Sequence, residues 1–170
     1  LYTPQAGHLM LDGYNLAEFD LTNLRQRIGV ALQKPTLFAG TLKDNIILGK
    51  PDATTQEVLD VVSFVQLDSL ILQLPDGLDT KVNPMASNLS GGQGALVALA
   101  RILLLNPDVL VLDEALKSLD QSTRNIVLGK ILDRYQHRTC LMVTDDLSVH
   151  QKAHRIIVLN EGQVVEEGTY

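Results

Sequence analysis

Two short strings in this sequence carry residue types that do chemistry. The first, Leu89-Ser90-Gly91-Gly92-Gln93, opens a long apolar segment. A Ser hydroxyl, two backbone amides without side chains and a Gln at a helix start form an anion site. The first N–H groups of a helix have no partner, its positive dipole end faces outward, and glycine lets a phosphate come close. Alone, Ser90-Gly91-Gly92 reads first as a Gly-rich turn that caps a core helix. The second string, Val109-Leu110-Val111-Leu112-Asp113-Glu114, is an apolar run ending in two acids. Strand ends in α/β sheets face the ligand crevice. Asp113 there can hold Mg²⁺, directly or through water, and Glu114 can orient or deprotonate an attacking water. Alone, such acids are ordinarily solvated turn residues. Together the strings are far more specific, because the acids come after the Gly pair at a distance of one helix and one loop. Gln33, at the end of another apolar run, and Asp120, just past Glu114, join them.

The elements that must position these residues can be read from periodicity. Gly7–Asp12 alternates and turns at Asp12-Gly13, as a strand and hairpin turn do. Leu21–Arg27 is a short helix with Asp20 placed to cap it, and Ile28–Leu32 is a buried strand ending at Gln33. Thr54-x-x-Glu57 is a capping box leading into Val58, Val61, Val62 and Val65 on one helical face. Leu67–Leu74 is a further apolar helix that ends at Pro75. The segment from Gly91 to Leu105 is a long apolar helix, and Val109–Leu112 suits a central parallel strand buried on both faces. Leu128, Ile131, Leu132 and Tyr135 mark the core face of the next helix, Thr139–Val143 is another buried strand, and Arg155–Leu159 with Gln163–Val165 closes a hairpin. Strands alternating with helices imply a parallel α/β core, 1–33 and 106–170, with a mostly helical lobe inserted over 34–105.

Composition narrows the function classes. The 170 residues are 45% hydrophobic and 20% charged, which excludes a disordered, collagenous or coiled-coil chain. The longest apolar stretch, Ala95–Leu105, carries Arg101 and stops at Asn106-Pro107, too short to cross a bilayer. Fourteen basic residues are scattered against twenty acidic ones, so nucleic acid is not an expected partner. The single cysteine, Cys140, allows no internal disulfide and fits a reducing compartment as a packed core thiol.

With these strings in place, the sequence resembles the nucleotide-binding domain of ABC transporters over essentially its whole length. Gln33 matches the family's Q-loop, Leu89–Gln93 its signature, Val109–Asp113 its Walker B strand, Glu114 its catalytic glutamate and Lys117–Asp120 its D-loop. Leu37–Leu42 with Asn45-Ile46, and Leu74–Thr80, are similar to the exporter type. The resemblance implies a P-loop NTPase-like, mostly parallel sheet with an inserted helical subdomain. It implies ATP and Mg²⁺, with Asp113 and Gln33 serving the metal and Glu114 polarising water. Ser90, Gly91, Gly92 and Gln93 would clasp the γ-phosphate across a dimer interface, with Asp120 in the D-loop beside them. The implied partners are a second nucleotide-binding domain and the transmembrane domain of an exporter, at the cytoplasmic face of the membrane.

The sequence also departs from that pattern. The phosphate-cradling G-x-x-x-x-G-K-[ST] is absent: Gly49-Lys50 and Gly129-Lys130 lack both the first Gly and the Ser/Thr. The family places that loop upstream of the position matched by Leu1, so a truncated N-terminal β part is the expectation, and with it an exposed apolar edge and no useful ATP binding by the chain alone. Asp145 stands at the family's switch histidine, where a carboxylate would repel both the phosphate and Glu114. Lys117 stands where a small residue is common, Gly94-Ala95-Leu96 comes after the signature in place of Arg/Gln residues, and Asn83–Ser87 replaces a loop containing Gly and Glu. The expected protein is a catalytically weakened exporter ATPase that offers an intact signature to its partner. A non-hydrolytic docking module and a soluble ABC-type ATPase are the other readings.

Overall fold

The computed structural model of the protein describes residues 4–83 and 88–170. Leu1–Thr3 and most of the loop before the signature, Pro84–Ser87, lie outside the described residues.

The chain opens with a two-residue hairpin, β1 (Met10–Leu11) and β2 (Tyr14–Asn15), turning at Asp12 and Gly13, both with positive φ. Gly7–Asp12 is therefore strand only at its end. Helix α1 (Leu21–Arg27) starts where Asp20 Oδ1 accepts the Asn23 N–H at 2.9 Å. It leads into β3 (Ile28–Leu32), the first strand of the main sheet.

A helical cluster comes next. The short β4 (Gly40–Thr41) runs into α2 (Leu42–Ile47), then come α3 (Thr55–Phe64), α4 (Asp68–Gln73) and β5 (Lys81–Val82), which pairs with β4. Both α2 and α3 begin with capping boxes, Thr41 with Asp44 and Thr54 with Glu57, so local sequence alone fixes their starts. Helix α5 (Gly91–Leu104) runs back from this cluster to the sheet. Arg101 on α5 ties it to α2, donating from Nε to the Asn45 carbonyl at 2.7 Å and from its terminal nitrogens to Asn45 Oδ1 and the Thr36 carbonyl. Asn45 is fully buried, and its amide is satisfied by Phe38, Thr41 and Arg101, as a buried polar group requires.

The remaining elements complete the core. They are β6 (Val109–Asp113), α6 (Gln121–Arg134), β7 (Thr139–Val143), the single turn α7 (Leu147–His150), and an antiparallel hairpin of β8 (Ile156–Asn160) and β9 (Gln163–Gly168). The main sheet has the order β3-β6-β7, all parallel, with Leu32, Asp113 and Val143 side by side at its carboxyl end. The residues just beyond the three strands, Gln33, Glu114 and Thr144-Asp145, are thereby delivered to one edge.

Residues in register share a face, and the two faces differ. Gly29, Ala31, Leu110, Leu112, Cys140 and Met142 lie on the face packed against α5 and α6, with Leu110 and Leu112 buried in one cluster with Val97, Val127 and Ile131. Helix α5 approaches so closely that a Cβ on Gly29 would lie 2.5 Å from Ile102 Cγ2 and 2.7 Å from Pro107 Cγ. The opposite face is open: Val30, Leu32, Leu141 and Val143 are 43–56% exposed. Three expectations are corrected here, the first being that β3 is a buried strand: it buries Gly29 and Ala31 and exposes Val30 and Leu32. β6 is buried on one face and half-buried on the other, and β7 is an edge strand with Thr139, Leu141 and Val143 exposed rather than a buried strand. Leu132 is half-buried, whereas Leu128, Ile131 and Tyr135 are buried. Cys140 does lie on the packed face, and its burial pushes the thiol up to about 11, out of reach of thiolate chemistry at neutral pH.

Candidate functional site

The carboxyl edge of the sheet assembles one group of functional side chains. Glu114, the first residue beyond β6, has a φ of +48° and is pinned by its N–H donating to the Val143 carbonyl at 2.9 Å. A left-handed conformation costs a glutamate about 1–3 kcal/mol and persists where surrounding structure enforces it, most often at functional sites. Its side chain is held on both oxygens. Gln33 Nε2 donates to Oε2 at 2.6 Å, and Lys117 Nζ donates to Oε1 at 3.3 Å. The same ammonium donates to Asp145 Oδ2 at 3.0 Å. Hydrogen bonding to Asp145 first, then to Glu114, raises the Lys117 pKa, and Lys117 in turn holds the Asp145 carboxyl below its ordinary value. The repulsion expected between Asp145 and Glu114 is therefore corrected, because a cation sits between them.

A second bridge lies beside the first. Arg124 pairs with Asp146 at 3.1 Å and donates to the carbonyls of Lys117 and Leu119 at 3.2 and 3.0 Å. The loop after β6 is thus tied to the segment after β7 through two adjacent cation–carboxylate pairs. A cavity of about 50 Å³ beneath them is lined by Glu114, Lys117, Arg124, Asp145 and Asp146, room for water but not for a nucleotide.

The other group sits at the start of α5. The Ser90 hydroxyl accepts the Gln93 N–H at 3.1 Å, and Gln93 Oε1 accepts the Ser90 N–H at 2.8 Å, a complete capping box. Gly91 has open space where a side chain would be, while a Cβ on Gly92 would lie 3.0 Å from the Ser118 carbonyl oxygen. Glycine at 91 leaves the amides open to an anion, and glycine at 92 lets the helix start lie against the loop after β6. Asp120 belongs with this group. It caps α6 by accepting the Thr123 N–H at 3.0 Å; the Thr123 side chain first and then that N–H hold its carboxyl below its ordinary value, and it shares a groove of about 400 Å³ with Ser90, Gly92, Gln93 and Ser118.

The chemistry of the donor set fits a divalent metal at the first group. Asp113 ends β6 in register with Leu32, next to Gln33, so a carboxylate and an amide carbonyl, both hard oxygen donors, lie at adjacent strand ends. The Gln33 amide uses its nitrogen on Glu114, which leaves its oxygen for a metal.

The ABC transporter family profile matches residues 1–117, more than half of the chain. The chain belongs to the ABC transporter family. Among relatives of that family it is 42% identical over 170 residues to ABC transporter B family member 1 of Arabidopsis thaliana, covering 99% of this chain and 13% of that protein. It is 38% identical over 169 residues to a protein of Staphylococcus aureus named for multidrug export as an ATP-binding/permease protein, covering 99% of this chain and 29% of that one. The fold superimposes on a bacterial Atm1-family ABC exporter solved with ATP bound, with a TM-score of 0.94 at 34% identity, over 99% of this chain and 29% of the exporter. The chain thus spans less than a third of the length of these ABC proteins.

Within this ABC fold, Gln33, Asp113, Glu114 and Asp145 come to one edge, while Ser90, Gly92, Gln93 and Asp120 line a separate groove; the cavity and the groove share no lining residue. Sequence reasoning noted Lys117 only as a departure and did not single out Arg124 or Asp146. The available signal was charge pattern: two acids in tandem after β7 and two basic residues after β6, on strands expected to be neighbours.

Proposed function

We propose that this chain is the ATP-binding domain of an ABC-type exporter, with residues 1–33 and 106–170 as its α/β core and 34–105 as its helical subdomain. The observation that carries the reading is the Gln33–Glu114 hydrogen bond, which joins the ends of two parallel strands 81 positions apart and aims a carboxylate at the crevice. Glu114 takes a proton from the attacking water, Gln33 orients the carboxylate, and Asp113 with the Gln33 oxygen would hold Mg²⁺. The bound ion supplies charge compensation for the phosphate oxygens. Ser90, Gly91, Gly92 and Gln93 donate to the γ-phosphate of ATP held by a partner domain. The separation of the two groups within one chain supports that head-to-tail arrangement, and closure of such a pair around ATP drives export through a transmembrane domain at the cytoplasmic face. None of the described helices is long and apolar enough to cross a membrane.

Asp145 makes the site a weak one, because a carboxylate cannot give the phosphate the contact that an imidazole gives. One observation favours a non-hydrolytic docking role instead: both Glu114 oxygens already accept hydrogen bonds. The deciding experiment is ATP turnover by the longer transporter that this reading requires. Slow Mg²⁺-dependent hydrolysis, falling on the order of 10²-fold or more in Glu114→Gln, is the expected result. ATP binding without hydrolysis in the unsubstituted protein would establish the docking role.

A further inference from the structure

We propose that Lys117 is a positioning residue for Glu114, and that Lys117 and Asp145 together form a charge-paired substitute for a histidine switch. The inference rests on the ATPase reading above. Its basis is that two departures from the family's pattern, 28 positions apart, meet in one ion pair, with Nζ 3.0 Å from Asp145 and 3.3 Å from Glu114.

The geometry gives Lys117 work on Glu114 that nothing else in the site does. Gln33 holds only Oε2, and a carboxylate held at one oxygen swings about its Cγ–Cδ bond. Lys117 takes Oε1 and fixes the plane. Asp145 is the counter-anchor that keeps the ammonium at the strand edge, and Arg124 fixes the loop itself by donating to the Lys117 carbonyl. Stability is a poor explanation for the arrangement. The Lys117 and Asp145 side chains are 47% and 73% exposed, and exposed pairs contribute little to folding. Electrostatics gives a second reason. Asp113, Glu114, Asp145 and Asp146 crowd one edge, and without Lys117 and Arg124 that edge would repel an anionic substrate. A lysine also differs from a histidine in staying charged throughout the neutral range, so the device does not switch with pH.

The experiment is steady-state ATP hydrolysis by the full transporter bearing Lys117→Met, Lys117→Arg, Asp145→Asn and the Lys117→Met/Asp145→Asn double substitution, with thermal midpoints in parallel. Lys117→Met is expected to lower kcat on the order of 10–10²-fold, as loss of orientation does, with KM for ATP within about twofold of the original. Lys117→Arg should return kcat to within a few-fold, because the guanidinium can span the same two carboxylates. In the Asp145→Asn background the Lys117→Met effect should shrink, since the counter-anchor is already gone. Midpoints should not move by more than about 2 °C, since the pair is exposed. A rise in kcat, a change confined to KM, or equal loss in Lys117→Arg and Lys117→Met overturns the positioning role. Hydrolysis in the unsubstituted protein with no effect of Lys117→Met overturns it while leaving the ATPase reading intact. A transporter that never hydrolyses ATP overturns both.

Discussion

The start of α5 and the carboxyl edge of the sheet are built in opposite ways. At Ser90–Gln93 the capping contacts are local: a hydroxyl and an amide three residues apart satisfy each other, and the loop after β6 adds only the Ser118 side of the groove. At Glu114 the contacts are drawn from Gln33 far before it and the Val143 carbonyl after it, with Lys117 supplied by the adjoining turn and held in its turn by Asp145. The first region takes its shape mainly from its own four residues. The second depends on three strands staying in register, and each departure there needs another to offset it.

The largest test of that contrast is Asp145→His in the full transporter. If the sheet edge is the weakened half, turnover should rise by about tenfold or more, part of the 10²–10⁴ that a positioned acid–base group typically contributes. Unchanged turnover, measured as phosphate release, would mean that the Lys117 pair has fully replaced the imidazole and that the two regions are equally competent. Next in size is Ser90→Ala, measured on this chain by thermal unfolding. Loss of the cap should cost about 1 kcal/mol, a drop of about 2–4 °C in midpoint. An unchanged midpoint would show that the helix start is not locally determined.

The smallest effect sharpens the local side of the comparison through the capping box at Thr54. Glu57 is held down to about 2, chiefly by its hydrogen bond from Lys50 and then by the Thr54 backbone and side chain. A depressed carboxyl stabilises the fold fully above its unfolded value, about 4.5, and that contribution fades as pH falls toward 2. Between pH 5 and 3 the midpoint of the unsubstituted chain should therefore fall slightly more than that of Glu57→Gln. Parallel pH curves would remove Glu57 from the account.

Much of the fold was legible for the same reason that the signature was. The bounds of α1 and β3, the caps at Asp20 and Thr54, and the core face of α3 come from spacings of three and four residues, which the sequence displays directly. β7 was misread because an apolar run says that a strand is apolar, not that something covers it. Leu141 and Val143 look identical in sequence to Leu110 and Leu112, yet lie on opposite faces of one sheet. The resemblance placed Gln33 with Asp113 on the metal, whereas its bond to Glu114 could be seen only in the structure. The Lys117–Asp145 contact was missed because each residue was read alone, as an oddity at its own position, and not against the opposite charge on the neighbouring strand.

One close approach has a practical consequence. The Gly92 backbone lies so near the Ser118 carbonyl that a single methyl group would bring them to 3.0 Å, and Ser118 Oγ reaches the Gly91 carbonyl at 3.5 Å. Only glycine at 92 lets the start of α5 and the turn after β6 lie this close. A reporter group fixed near Ser118 would therefore sit beside the signature without touching Ser90.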